Sequence, residues 1–332
     1  MPDIVMRLIL EKSDFISLLH LRKTCQQLRH FIDTVKPEPV VKSLDLEIGA
    51  TFKSLVENPE AISFSLDWNC NGITSRNPFR VTYSQLGSGC LIERGLNEKI
   101  SKFIEKSNYL DIALMDIQLI LKISGGFEIL TISKLRSDQD DKISKICSNS
   151  QEVLKSREHL LKVKDLKMNV RTVEHILSWL PYTDARTLES LEFRGSIKEP
   201  FDLRNVMKLE QWKAAKRLFV TVLDLNFDIE SLLHFERMTM KIGELSWELA
   251  VELKEAFLSH PHITRFNIGY KSCNALEHFK KSYGAPFPGR WEEWYFGVPV
   301  DKGKVILVDF RNGFVIFERI DRNKVPDGAN IL

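Results

Sequence analysis

Strand-like segments return through the second half of the chain at intervals of roughly 20 to 28 residues. From Leu160 onward they read LLKVKDLKM, LESLEF, AKRLFVTV, FERMTMKI and ITRFNI, and helical or irregular segments such as SWELAVELKEAFLSH separate them. Strands that alternate with helices predict parallel strands stacked into a curved sheet with helices behind it, as in leucine-rich-type repeats. The repeat is irregular and lacks the asparagine pattern of a strict leucine-rich repeat, so a plain α/β domain is the alternative interpretation.

Three further strands are predicted at the C-terminal end, in WEEWYFGVPV, KVILVDF and FVIFERI. The short segments DKG and RNG lie between them, and Asn312-Gly313 is a strong signal for a tight hairpin. We therefore expect an antiparallel β meander that caps the open end of the repeat sheet.

The N-terminal residues 1–35 have a helical pattern. A stripe of apolar residues at helical spacing is predicted along one helix, formed by Leu18, Leu21, Cys25, Leu28 and Ile32. In an earlier helix Val5, Leu8 and Ile9 are predicted to form the inner face. Because a unit of about 35 residues is too small to bury a sufficient core alone, the stripe needs something to pack against.

The prolines of KPEP (Lys36–Pro39) end the helical pattern and predict an extended connector. Beyond it VKSLDLEI, AISFSLDW, FRVTYSQL and FEILTISKL alternate like strands, whereas LNEKISKFIEKS and LDIALMDIQLILKI have a helical pattern. The predicted class is α+β: a small helical N-terminal domain, an irregular leucine-rich-repeat-like α/β curved sheet and the terminal meander.

Charge and cysteine content restrict the partners and the compartment. The formal charge is +2, from 47 basic and 45 acidic residues, so neither nucleic acid nor an anionic membrane is an expected partner. Five scattered cysteines without a C-x-x-C pair are typical of a reducing compartment. No apolar run has transmembrane length and no signal peptide is evident, so we expect a protein of the cytoplasm or nucleus.

The motifs of catalysis and metal binding are not found in the sequence. His260 and His262 flank Pro261 without a further ligand at metal-binding spacing. The acidic run DQDD (Asp138–Asp141) fits the first turn of a helix better than a calcium loop. We predict no catalytic residue, no metal site and no cofactor.

The first segment, MPDIVMRLILEKSDFISLLHLRKTCQQLRHFID, resembles an F-box. The matching residues are Pro2, Ile9-Leu10, Asp14, Leu18-Leu19, Leu21-Arg22, Cys25 and Arg29. Two positions depart from the motif: Met1 replaces its leading leucine, and Leu28 replaces its tryptophan. The remainder is similar to the nematode F-box A family with its C-terminal FTH domain, through phrases that include DIQLILK, HILSWLPYTDARTLESLEF, LEQWKAAKRLFV, LKEAFLSHPHITRFNI and PFPGRWEEWYFGVPV.

This resemblance implies domains at 1–35 (F-box), 36–41 (linker), 42–157 (the first part of the α/β domain) and 158–332 (FTH domain with the meander). It further implies that the chain is a non-catalytic substrate receptor in a ubiquitin ligase complex. The F-box would bind a Skp adaptor, and through it a cullin, while the C-terminal domain would bind a protein substrate.

The apolar face of the F-box would partly close a small three-helix core and partly pack on the adaptor. The expected adaptor-binding residues are Met1, Pro2, Ile4, Val5, Ile9, Leu10, Phe15, Leu18, Leu19, Leu21, Cys25 and Leu28. Two alternatives remain open. Residues 1–35 could pack only on the rest of the chain, or the protein could be an interaction scaffold outside any ligase with a degenerate or truncated F-box.

Alternation along the predicted repeat strands assigns their two faces. Leu166, Met168, Leu191, Phe193, Met238, Met240, Phe266 and Ile268 are expected to point inward. The residues expected to point outward, and to bind the substrate, are Lys167, Asn169, Glu192, Arg194, Thr239, Lys241, Arg265 and Asn267. This face is mildly basic, which suits an acidic protein epitope, and a register shift of one residue would invert both assignments.

Overall fold

The computed structural model describes residues 3–13, 15–35, 40–50, 57–67, 69–70, 73–74, 79–95, 100–134, 140–169, 171–195, 201–221, 225–226, 229–289 and 291–332. Its contacts divide the chain into two units, Met1–Leu188 and Glu189–Leu332. The expected adaptor-binding residues Met1 and Pro2 lie outside the described residues, as does the KPEP connector.

The first unit begins with helices and continues as a mixed sheet with helices. Its elements are α1 (Asp3–Lys12), α2 (Phe15–Thr24), α3 (Gln26–Val35), β1 (Val40–Ala50), β2 (Glu57–Asp67), β3 (Asn69–Cys70), β4 (Ile73–Thr74), β5 (Phe79–Leu86), β6 (Gly89–Arg94), β7 (Ile100–Ile104), α4 (Tyr109–Ile123), β8 (Gly126–Lys134), α5 (Asp140–Lys155), β9 (Lys162–Asn169) and α6 (Val173–Leu177).

The apolar stripe predicted on one helix lies on two. The chain leaves the helical conformation at Cys25, which separates α2 from α3. The Leu28 backbone N–H lies 3.4 Å from Cys25 Sγ, and the Arg29 N–H donates to the Cys25 carbonyl at 3.1 Å. Cys25 therefore directly precedes α3 and accepts hydrogen bonds from its first turn, and its side chain is exposed. A helical stripe gives no signal for such a break, because both helices keep the same spacing.

The strands of the first unit lie in the order β9, β8, β1, β2, β5, β6, β7. β1 is parallel to β8, and β8 is parallel to β9, whereas the pairs from β1 to β7 are antiparallel. Helix α4 packs on β2, β5 and β6. The buried Tyr83 of β5 donates its hydroxyl hydrogen to Asp116 of α4, and burial followed by the Asp116 charge raises the pKa of this phenol.

The helix predicted in LNEKISKFIEKS is wrong where the structure describes it. Residues Ile100–Ile104 form β7, whose backbone pairs with β6. Ile100, Phe103 and Ile104 have helical spacing, but Ile100 is 70% exposed and Phe103 is 45% exposed. They therefore form no buried helix face. The backbone hydrogen bonds to β6 determine the local structure here, and the helical spacing of the apolar residues does not.

The second unit contains the remaining elements. They are β10 (Ser190–Arg194), β11 (Phe201–Asp202), α7 (Arg204–Met207), α8 (Glu210–Ala214), β12 (Arg217–Val220), β13 (Leu225–Asn226), β14 (Arg237–Leu245), α9 (Trp247–Ser259), β15 (Arg265–Cys273), α10 (Ala275–Tyr283), β16 (Glu292–Gly297), β17 (Lys304–Arg311) and β18 (Phe314–Asp321). Helix α10 was not predicted from the sequence.

The sheet of the second unit has the order β16, β17, β18, β15, β14, β12, β10. The four strands from β10 to β15 are parallel, and the antiparallel pairs among β16, β17 and β18 form the predicted meander, which joins the sheet through β18 and β15. All eight side chains expected to point inward are buried. Six of them lie in the second unit, and Leu166 and Met168 lie on β9 of the first unit. The predicted alternation of these strands is thus confirmed.

The connections between the parallel strands are unequal. Two short helices precede β12, while the single long helix α9 precedes β15. The mixed α/β class with N-terminal helices is confirmed, whereas a leucine-rich-type repeat stays a prediction.

The outer strand β16 is covered by C-terminal residues. Tyr295 forms a parallel bridge with Ile331. The Leu332 N–H donates to the Tyr295 carbonyl at 2.9 Å, and the Gly297 N–H donates to the Leu332 carbonyl at 2.9 Å. These hydrogen bonds occupy part of the backbone edge that β16 would otherwise expose.

Among the residues described, no helix combines the length and the apolar character that a membrane crossing requires.

Candidate protein-interaction sites

Helix α1 presents an apolar face to solvent. Ile4 is 73% exposed, Leu8 is 52% exposed, and Val5 and Ile9 are also exposed. These four residues lie on one side of the helix, because positions one turn apart share a face. The prediction that Val5, Leu8 and Ile9 form the inner face is therefore wrong. Periodicity identifies an apolar face but does not say what covers it.

The inner side of α1 belongs to a small three-helix core. Leu10, Leu18 and Ile32, one from each helix, are about 1% exposed. Met6, Leu21 and Phe31 pack around them, and Phe15 is buried as well. This core packs α1 against α2 and α3, which fixes the position of the outer face of α1.

Polar contacts tie α2 to α3. Arg22 binds Asp33 with two hydrogen bonds, Nε–Oδ1 at 2.7 Å and Nη2–Oδ2 at 3.0 Å. Arg29 of α3 also reaches the Arg22 carbonyl, with an Nε–O distance of 3.4 Å. Such a two-pronged pair fixes geometry better than a single contact between charges.

One face of α2 looks toward the sheet of its own unit. Ile16 and Leu19 line a cavity of about 50 Å³ together with Phe64, Leu66 and other residues of the sheet and α4. Leu19 is half-buried in this environment. The alternative that the N-terminal helices pack on their own chain therefore applies to part of α2.

A larger cavity, of about 370 Å³, lies between these helices and the C-terminal end of α4. Arg22, Asp33 and Arg157 are among its lining residues. Arg157 donates to the Leu121 carbonyl and, through Nη2 at 3.1 Å, to the Ser124 carbonyl. It thereby satisfies carbonyls at the end of α4 that lack partners within the helix.

The expected adaptor-binding residues thus fall into three groups. Ile4, Val5, Ile9 and Cys25 are exposed; Leu19, Leu21 and Leu28 are half-buried; and Leu10, Phe15 and Leu18 are buried. Only the exposed group and parts of the half-buried group can touch a partner without rearrangement. Leu8 was omitted from the expected set, although its spacing from Ile4 could have identified it.

The expected substrate-binding residues lie on the outward side of their strands. Glu192, Arg194, Thr239, Lys241, Arg265 and Asn267 are exposed or half-buried in the second unit, and Lys167 and Asn169 are half-buried on β9 of the first unit. The guanidinium of Arg194 pairs with Glu192 and lies 5.0 Å from the ring centroid of Phe219.

Two arginines of this outward side were missed. Arg217 and Arg237 occupy the same row as Arg265, because Arg217 pairs with Arg237 and Arg237 pairs with Arg265 in the strand register. The row borders a shallow cavity of about 230 Å³. A signal was present in the sequence: RLFV, RMTM and RFNI each start with arginine followed by an apolar residue.

One serine lies beside a buried histidine. Ser144 Oγ is 3.1 Å from His175 Nε2, and His175 Nδ1 accepts the Arg171 backbone N–H at 3.5 Å. Within the described ranges no cluster of three metal-ligating side chains is found.

Comparison with known proteins decides the family of these elements. Residues 1–38 match the F-box domain family, and residues 144–283 match the FTH domain family. The chain carries an F-box followed by an FTH domain. The F-box contains α1, α2 and α3. The FTH match begins within α5 and ends with α10.

A similar relative is F-box A protein 224 of Caenorhabditis elegans, 23% identical over 260 residues. The alignment covers 76% of this chain and 61% of the relative. No solved structure matches the chain. The relationship to nematode F-box A proteins is confirmed, while the domain boundaries at 35, 41 and 157 stay predictions.

Proposed function

We propose that this chain is the substrate-recognition subunit of a Skp–cullin–F-box ubiquitin ligase. The F-box binds the Skp adaptor, the adaptor binds the cullin, and the FTH domain binds a protein substrate. The chain itself has no catalytic step to perform and needs no cofactor. The observation that carries the proposal is the exposed apolar face of α1, because a domain family that binds Skp-type adaptors supplies an occupant for it.

The adaptor surface is assigned to Ile4, Val5, Leu8 and Ile9, and contact by Met1 and Pro2 stays an expectation from the sequence. Burying such side chains stabilises a complex by about 25 cal/mol per Å² of apolar area. Leu10, Phe15 and Leu18 act indirectly, since they hold α1 in place from inside the three-helix core. Leu19, Leu21, Cys25 and Leu28 form the edge of the proposed surface, where contact with the adaptor is partial.

The second candidate is an interaction scaffold outside any ligase. It is favoured by Ile16 and Leu19, whose contacts with their own unit could hold α2 and α3 without an adaptor. In that case the FTH domain would bind its partner, but no cullin would join the complex.

We further propose that the protein works in the cytoplasm or nucleus. Cys90 and Cys147 are buried free thiols, and burial raises the pKa of both. Unpaired cysteines suit a reducing compartment, in which a ubiquitin ligase also operates.

The test is co-purification with a nematode Skp adaptor and measurement of the complex mass by light scattering. Wild type is expected to form a one-to-one complex. The variant Ile4→Gln, Leu8→Gln should bind at least about tenfold more weakly, because two exposed apolar contacts are lost. The control Arg7→Gln changes an exposed polar residue on another side of the same helix and should bind like wild type.

Failure of wild type to bind, or equal binding by both variants with α1 still folded by circular dichroism, would reject the adaptor assignment. If the adaptor binds but adding the cullin gives no larger assembly, the hypothesis of an interaction scaffold replaces that of a ligase subunit.

A further inference from the structure

Three arginines stand side by side on the outward face of the FTH sheet. Arg217 of β12, Arg237 of β14 and Arg265 of β15 occupy one row of the parallel register. Each is exposed, and the following residue on each strand, Leu218, Met238 or Phe266, is buried. Because neighbouring strands lie about 4.8 Å apart, the row extends over roughly 10 Å.

The two outer arginines have carboxylate partners. Arg217 Nη2 lies 3.4 Å from a Glu189 carboxylate oxygen. Arg265 Nη1 binds both carboxylate oxygens of Glu318, at 3.1 and 3.0 Å. Glu318 is opposite Arg265 in the antiparallel register of β15 and β18, so this ion pair ends the row on one side.

The central arginine has no such partner in the described part of the chain. The backbone N–H of Arg237 donates to the Lys216 carbonyl, but its guanidinium makes neither an ion pair nor a hydrogen bond with the residues described. Like charges on directly neighbouring strand positions destabilise a sheet. A row that keeps an uncompensated cation at its centre therefore departs from ordinary sheet chemistry, and such departures concentrate at functional sites.

The surface beside the row contains a cavity. A cavity of about 230 Å³ is bordered by all three arginines, by Ser190 at one end and by Thr239 and Asn267 one row further along the strands. The hydroxyl and amide groups can donate hydrogen bonds to an anionic chain that the guanidinium groups attract.

We propose that the Arg217–Arg237–Arg265 row binds an acidic segment of a protein partner, with Arg237 as the central contact. This inference rests on the proposed function, because it assigns a class of substrate to the FTH domain. The guanidinium of Arg237 stands between those of Arg217 and Arg265, so positive groups are spaced along the row. Successive Asp or Glu side chains distribute their charge in the same manner.

Two other ligands fit the row less well. A phosphate group concentrates nearly two negative charges at one point, close to the carboxylates of Glu189 and Glu318. Single-stranded nucleic acid needs open aromatic rings on which bases stack. Among the residues described, Phe219 is the aromatic one that borders this cavity, and Arg194 lies over its ring.

The experiment measures fluorescence anisotropy of a labelled peptide in which Glu alternates with Ser, with the full chain as receptor. The matched peptide has Gln in place of Glu, a third carries one phosphoserine among neutral residues, and oligouridine is the nucleic-acid probe. The receptors are wild type, Arg237→Gln and the control Arg322→Gln, which removes one charge from an exposed position of the same unit.

The Glu peptide should bind wild type, the Gln peptide should not, and Arg237→Gln should weaken binding about tenfold, since a charge-assisted hydrogen bond is lost. Arg322→Gln should bind like wild type. The proposal would be overturned if Arg237→Gln bound the Glu peptide as tightly as wild type, or if both variants lost affinity equally. It would also be overturned if the Glu peptide did not bind wild type. Binding of the phosphoserine peptide or of oligouridine alone would overturn the assignment to acidic side chains.

Adaptor co-purification of the Arg237→Gln variant separates this inference from the proposed function. Retained adaptor binding together with an unchanged peptide affinity rejects the arginine site and leaves the adaptor role standing. Loss of the Skp complex in wild type, with specific capture of the Glu peptide, rejects the ligase role and keeps the arginine site.

Discussion

The guanidinium of Arg319 donates a hydrogen bond to the backbone carbonyl of His260, with an Nη2–O distance of 3.1 Å. Arg319 also donates to the carbonyls of Phe257 and, through Nε at 3.2 Å, of Ile263. Helix α9 ends at Ser259, and its final carbonyls have no partners within the helix. A residue of the terminal meander therefore supplies the cap of the longest helix in the second unit.

Replacement of Arg319 by Met should destabilise the second unit. The change leaves the carbonyls of Phe257, His260 and Ile263 without their charged donor, so we expect a loss of about 2 kcal/mol in the free energy of unfolding. Urea denaturation followed by circular dichroism measures it. The exposed Arg322→Met is the control and should change stability by less than about 0.5 kcal/mol; equal stability of the two variants would contradict the capping role.

Two leucines of the F-box should respond very differently to truncation. Leu18 is 1% exposed in the three-helix core, whereas Leu8 is 52% exposed. Leu18→Ala should cost roughly 2 to 5 kcal/mol, and Leu8→Ala should cost less than about 0.5 kcal/mol. Hydrogen exchange of the backbone amides in α2 and α3 measures the local stability of these helices. Similar exchange rates in both variants would show that the three-helix core is not arranged as described.

Arg157 should stabilise the end of α4. Its side chain donates to the carbonyls of Leu121 and Ser124, and its Nε lies 3.3 Å from the His159 carbonyl. Arg157→Met removes these donors and should lower stability by about 1 to 3 kcal/mol. The measurement is the urea midpoint, with Lys155→Met as the exposed neighbour that should leave the midpoint in place. An unchanged midpoint for both would contradict the assignment.

His234 should make stability depend on pH. Burial lowers the pKa of His234, and the nearby His262 lowers it further, although the hydrogen bond to the Trp212 carbonyl opposes the shift. Below about pH 6.5 the unfolded chain therefore binds a proton at this position before the folded chain does. The free energy of unfolding should fall as the pH drops from 7 toward the lowered pKa.

The control for this pH effect is His234→Gln, which keeps an N–H donor for the Trp212 carbonyl but has no titratable group. The difference in unfolding free energy between wild type and this variant should change over the same pH interval. A difference that stays constant from pH 7 to 5 would exclude His234 as a source of the pH dependence.

Alternation was predictable because it is a local property of strands. Met238, Met240, Phe266 and Ile268 follow every second position, and the interior of the sheet accepts them as expected. The outer face of α1 was not predictable in the same way. The pattern of Val5, Leu8 and Ile9 is that of any amphipathic helix, and only the placement of Met6 and Leu10 in the core shows which side faces inward.

The arginine row could not be predicted from local sequence patterns, for a different reason. Arg265 was among the expected residues, but its neighbours Arg217 and Arg237 are separated from it by whole helices or loops along the chain. Their adjacency arises from the register of three parallel strands, which depends on tertiary packing. The misassigned β7 has the same origin, because its pairing with β6 is not encoded in its own side-chain spacing.

The hydrogen bonds of Leu332 at the edge of β16 have a consequence for the behaviour of the protein in solution. A bare strand edge acts as a template on which another polypeptide can add a strand, which is a common route to aggregation. Ile331 and Leu332 already pair with the backbone edge of β16 around Tyr295. Removing these two residues would open a hydrophobic strand to intermolecular pairing, so they protect colloidal stability as well as the fold.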